Sequence, residues 1–184
     1  MLVPPLDLEA AAPEARAAAD AHARDVAPLT NLKRTLLHEP VAFRALMTWY
    51  ELRDVMRPIL GDRATTLFAH AVSSETDCLI CSTFFRRLLV QSGEDPDALQ
   101  LSDAEAELVA FGRALAVTPH RLPPAVAAPL RARLDDAQLV ALVAFGAMMV
   151  ATNVVVNALD VPLDGYLEPF RRSSDRAATA APRP

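Results

Sequence analysis

The chain has 184 residues, enough for one domain to bury its own core without disulfide staples or structural metals. Eighteen basic side chains against 23 acidic ones leave a net charge of -5, and no segment gathers the basic ones among aromatics, which argues against a nucleic-acid partner. Five glycines, two tyrosines and one tryptophan beside long Ala/Leu/Val/Arg runs favour helix over sheet, and predict an all-α fold of about seven to eight helices.

In chain order, residues 1–30 read as a loose extended leader followed by an Ala-rich helix opened by Pro13, whose missing N–H costs little in a first turn. Met1–Asp7 has neither the basic start nor the continuous apolar run of a signal peptide, so a cytoplasmic location is expected. A domain is predicted over 31–168. Leu32, Leu36 and Leu37 are helically spaced, Pro40 interrupts, and Phe43, Leu46, Met47, Tyr50 and Val55 predict one longer helix from Val41 to about Met56. Pro58 and Gly61 read as punctuation, and Asp62 as the cap of a helix to about Val72.

Ser73–Asp77 is polar and predicts a turn, with Thr76 or Asp77 capping a helix that starts at Cys78 and ends near Gly93. Ser102-x-x-Glu105 is a capping box for a helix through Leu108, Phe111 and Leu115. A short helix over about 125–134 follows the Pro119 and Pro123-Pro124 connector, and Asp135-Asp136 opens the last helix, running to about Leu159. Leu139–Val156 is apolar enough to raise a membrane span, but Thr152, Asn153 and Asn157 interrupt it and no basic residue flanks it. A core helix surrounded by the others is the expectation, with no membrane partner. Residues 169–184 read as a disordered tail.

The chemistry concentrates at Cys78-Leu79-Ile80-Cys81. Two thiols three positions apart on one helical turn project from nearly one face and can close a disulfide, and a helix N-terminus favours thiolate. Two buried hydrophobic cysteines fit the same spacing. Half a zinc site would need two more ligands, and His22, His38, His70 and His120 include no spaced pair, so neither metal nor cofactor is expected.

The helix, polar turn and C-x-x-C helix, together with Asn153–Asp164 (NVVVNALDVPLD), resemble the carboxymuconolactone decarboxylase and alkylhydroperoxidase D-like superfamily over about Asn31 to Leu167. The resemblance implies a redox-active dithiol with Cys81 attacking peroxide and Cys78 resolving it as an intramolecular disulfide. It also implies a homo-oligomer. The family's peroxidase branch carries a glutamate with eleven residues between it and the first cysteine, and a histidine with three residues between it and the second. Those places hold Thr66 and Phe85 here.

His70, one turn beyond Thr66, is a candidate stand-in base, or else a partly buried helix residue; Glu75 is a weaker candidate. Trp49-Tyr50 packs in the core, at a subunit contact, or along a substrate pocket. Arg86-Arg87 reads as a solvated face, unless one turns inward to a thiolate, and Met148-Met149 as core or interface filler. Whichever of Asn153 and Asn157 is buried must find polar partners.

Together these residues point to a thiol-dependent oxidoreductase that reduces a peroxide or exchanges disulfides, acting on a peroxide or other small molecule and reset by an external thiol or dithiol donor. A catalytically silent binding or interaction domain is the alternative, and lactone decarboxylation a weaker one.

Overall fold

The helix Asp62–Glu75 organises the fold, which is seen in a computed structural model that describes residues 1–172. Numbered in chain order, the elements are α1 (Pro13–Asp25), α2 (Asn31–Leu36), α3 (Pro40–Met47), α4 (Trp49–Leu60), α5 (Asp62–Glu75), α6 (Leu79–Gln91), α7 (Asp103–Ala116), α8 (Pro124–Arg131) and α9 (Asp136–Ala158), with a 3-10 helix over Gly165–Phe170. The fold is all-α, and the described residues contain no strand. Seven consecutive residues of α5, Leu67 to Ser73, are buried, and the helix packs against α4, α6, α7 and α9. Its small side chains Thr65, Ala69, Ala71 and Ser73 let those four helices approach together.

Phe68 fills the space at the middle of this contact. A Cβ on Gly112 of α7 would stand 3.1 Å from its ring, and one on Gly146 of α9 2.9 Å, so both glycines make room for one aromatic side chain. Phe111 and Phe145 complete the aromatic cluster at 6.5 and 5.8 Å between ring centroids.

Four boundaries differ from expectation. The helix expected from Val41 to Met56 breaks at Thr48, whose hydroxyl donates to the Ala45 carbonyl at 2.6 Å and lets the chain turn Trp49 toward Phe145. Pro58 does not end α4: it sits in the last turn on the exposed side, where water can satisfy the carbonyl it frees, and the helix stops at Gly61, φ +85. Helix α5 continues through Ser73 and Ser74 to Glu75. Neither Thr76 nor Asp77 is the cap of α6; Cys78 itself takes that position, with extended backbone.

The last helix is also placed differently. One side of α9 packs on α4, α5 and α7, but Val140 and Val154 are 69% and 58% exposed on the other, so α9 is flanked, not surrounded. It is long and apolar enough to cross a membrane by length and composition, with 33% of that stretch buried.

The leader is extended but tied down. Leu2 N–H donates to the Leu159 carbonyl, Leu6 N–H to Arg34, and Arg34 Nε returns a bond to Leu6 at 2.9 Å. Of the tail expected to be disordered from 169, the first residues are ordered: Gly165–Phe170 is helical, and Arg172 Nη2 donates to Ser74 Oγ at 2.9 Å. Residues 173–184 lie outside the described part.

Candidate functional site

The dithiol is set by the turn between α5 and α6, and α9 braces that turn. Asn153, fully buried, donates from Nδ2 to Thr76 Oγ1 at 2.7 Å and to Ser73 Oγ at 3.4 Å, while Asn157 Nδ2 reaches the Thr76 carbonyl at 3.1 Å. Thr76 in turn donates to the Val72 carbonyl at 3.0 Å. Asp77 then takes a left-handed conformation, φ +50, that a short polar side chain tolerates, and redirects the chain into α6. Both asparagines therefore find partners at the turn next to the cysteines.

Cys78 and Cys81 approach to 3.4 Å and are both free thiols. Their environments differ. The Cys81 thiol hydrogen-bonds the Cys78 sulfur, and the backbone N–H groups of Cys81 and Ile80 turn toward it, so the Cys78 thiol is held below its ordinary value despite burial. Cys81 moves the other way, raised well above it because its proton is the one shared with Cys78 and because it is desolvated. Access runs opposite to acidity: Cys78 is 0% exposed, whereas Cys81 is 7% exposed and forms part of a cavity wall.

That cavity is about 90 Å³ and lies between α2, α3, α4, α6, α9 and the 3-10 helix. Around Cys81 its wall is apolar, made by Trp49, Ile80, Phe84, Phe85 and Met149. Trp49 meets Phe145 at 5.6 Å and Phe85 at 6.1 Å between centroids, so it both packs in the core and lines the pocket. Thr30, Lys33, Asp164 and Tyr166 complete its lining. Lys33 is buried, donates to the Pro28 carbonyl at 2.7 Å, and has its pKa pushed down to about 8 by burial. Burial acts on Asp164 in the opposite sense, raising its carboxyl, and its Oδ1 accepts the Asn31 N–H at 2.8 Å.

The other sequence candidates fall elsewhere. His70 is buried in α5, its ring 3.5 Å from Ser74 Oγ, and it is not in the cavity wall. Burial and the charges of Arg172, Arg86 and Arg113 push its pKa down to about 4, so it is a neutral imidazole at neutral pH. Glu75 is exposed at the end of α5. Thr66, at the glutamate place of the resembled family, bonds the Asp62 carbonyl of its own helix and borders an outer cleft with Arg53 and Arg57. Phe85, at the histidine place, is in the cavity wall.

The arginines do not form a solvated face. Arg86 pairs with Asp97 and its side chain is 12% exposed, while Arg87 lies over the rings of Phe84 and Tyr166 at 5.1 and 5.4 Å. No group of three or more His, Cys, Asp or Glu side chains capable of holding a metal ion occurs among the described residues.

Sequence reasoning missed Lys33, Asp164 and Tyr166. A lysine three places into a short helix and an aspartate after Pro162-Leu163 carry no spacing signal, because their segments lie 131 positions apart in the chain and only the fold joins them. Compared with known proteins, the chain matches no family model and no curated protein.

Proposed function

We propose that the chain is a thiol oxidoreductase of the alkylhydroperoxidase D-like kind, cycling Cys78 and Cys81 between dithiol and disulfide to reduce a peroxide or exchange disulfides. The observation that carries this reading is the 3.4 Å approach of two cysteines at a helix start, one of them in the wall of a cavity. The pair gives up its first proton as a unit, with the charge mainly on Cys78. Passage of the remaining proton to Cys78 leaves the thiolate on Cys81, where a small oxidant arrives.

Cys81 sulfur then attacks the terminal peroxide oxygen, the O–O bond breaks, and the leaving oxygen takes a proton to depart as alcohol or water. The Cys78 thiol attacks the resulting Cys81 sulfenic acid, forming the disulfide, and its proton leaves with the hydroxide as water. Two electrons have passed to the peroxide, and an external thiol or dithiol returns them by exchange. A cytoplasmic setting, where reductants maintain such a pair as the dithiol, fits this cycle. A homo-oligomer is part of the same reading, supported by the apolar face that α9 leaves exposed.

The alternative, a silent binding domain, draws on Thr66 and Phe85, which supply no proton relay, and on the complete burial of Cys78. Titration of the reduced protein separates the two. Addition of peroxide is expected to remove both free thiols together, with mass spectrometry finding a disulfide between residues 78 and 81. Slow thiol titration with no peroxide-dependent disulfide would overturn the redox reading.

A further inference from the structure

Arg87 stands apart from the other half-buried arginines of the described residues, each of which donates to a carboxylate, a carbonyl or a hydroxyl. Its Nε is buried with no hydrogen-bond acceptor among those residues, and its guanidinium rests on the rings of Phe84 and Tyr166, 5.1 and 5.4 Å away. Nη1 and Nη2 have no acceptor there either, yet they are not among the buried unpartnered atoms, so a ligand in solution can reach them. Both rings that carry the guanidinium also line the cavity beside Cys81. Tyr166 is 47% exposed, so the lining meets solvent at this ring and the cation stands at the rim. Behind the rim the wall is apolar, with Trp49, Phe85 and Met149 around Cys81.

We propose that Arg87 is an anion-docking residue at the mouth of this cavity, and that the oxidant taken up there is an organic hydroperoxide with a carboxylate at its far end. The apolar chain belongs against Phe84 and Tyr166, and the carboxylate meets the accessible Nη edge, whose planar fork suits it. Stacking has already fixed the arginine side chain, which lowers the cost of ordering it on binding. Helix α6 rises about 9 Å from residue 81 to residue 87, which puts the peroxide and the carboxylate at opposite ends of a linear molecule. The cavity, about 90 Å³, is smaller than the ~150 Å³ that holds benzene, so it encloses about five heavy atoms of the peroxide end and leaves the rest along the rim.

The inference rests on the redox reading for the chemistry at Cys81. Cys81 sulfur takes the terminal oxygen, the O–O bond breaks, and the inner oxygen takes a proton and departs as the hydroxyl of a hydroxy acid. The Cys78 thiol then displaces the sulfenic oxygen as water, and an external thiol returns the two electrons through the disulfide.

Binding is measured without turnover. Trp49 is the single tryptophan and lies in the cavity wall, so its fluorescence reports occupancy. The probes are octanoate, methyl octanoate and octylammonium, titrated at neutral pH into the reduced full chain with no oxidant present. Octanoate is expected to bind roughly tenfold tighter than its ester, with octylammonium weakest. Arg87→Met, which keeps an apolar stem against the two rings, should bring octanoate down to the ester and leave the ester unchanged. Raising the salt concentration should narrow the same gap in the wild type, a readout that needs no variant.

Equal binding of octanoate and its ester, no Trp49 response to any probe, or a preference that survives Arg87→Met or high salt would overturn the docking site. A protein that forms its peroxide-dependent disulfide yet shows no octanoate preference loses the docking site and keeps the redox reading. One that binds octanoate through Arg87 but forms no disulfide keeps the anion site and loses the hydroperoxide as its ligand.

Discussion

Acidity and access are divided between the two sulfurs. Cys78 is held below its ordinary value by the Cys81 thiol and two backbone N–H groups, while Cys81 is the sulfur on the cavity. Removing the donor is therefore expected to raise the remaining thiol: in Cys81→Ala the thiolate absorbance of Cys78 should appear at higher pH than the first deprotonation of the wild-type pair. An unchanged titration would mean that the hydrogen bond between the cysteines does not set the acidity. His70 belongs to a different balance. Its folded pKa of about 4 lies below the 6.5 of a free imidazole, so between these values the unfolded chain binds the proton and the folded one does not. Stability is full above pH 6.5, falls as pH drops toward 4, and then levels, with a loss of about 3 kcal/mol from this residue. Denaturant midpoints measured across that window should fall less steeply in His70→Gln.

At the scale of elements, the sequence is informative where a signal is local. The Ser102 and Glu105 side chains form the capping box at α7, and Asp135 starts α9. It misleads where packing decides. Apolarity points to α9 as the enclosed helix, yet α5, with its threonines, serines and histidine, is the one buried against four neighbours, because close approach rewards small side chains over greasy ones. The cavity is legible only on the Trp49 and Cys81 side, since its Lys33 and Asp164 end is assembled from distant segments. Two substitutions probe the packing that holds the site. Gly146→Ala drives a methyl into the Leu115 side chain and to 2.9 Å from Phe68, and is expected to destabilise by about 1–3 kcal/mol by chemical denaturation. Asn153→Ala removes the brace on the turn before Cys78, and the same assay should show a loss of about 1–3 kcal/mol.

For the whole molecule, two surfaces matter. The leader crosses from the end of α9 to α2, which carries Lys33, so the N-terminal residues help fix one wall of the cavity. The exposed side of α9 presents Val140, Ala147, Ala151 and Val154, and no charged side chain occurs between Asp136 and Asp160. A second copy covering this face is expected to appear as an oligomer in sedimentation, with Ala151→Glu shifting the protein toward monomer. A wild-type monomer across the accessible concentration range would contradict that assembly. The redox proposal is tested most directly by peroxide consumption with a dithiol donor supplied, wild type beside Cys81→Ser. Sustained turnover by the wild type and none above background by the variant is the expected result, and equal rates in the two would contradict it.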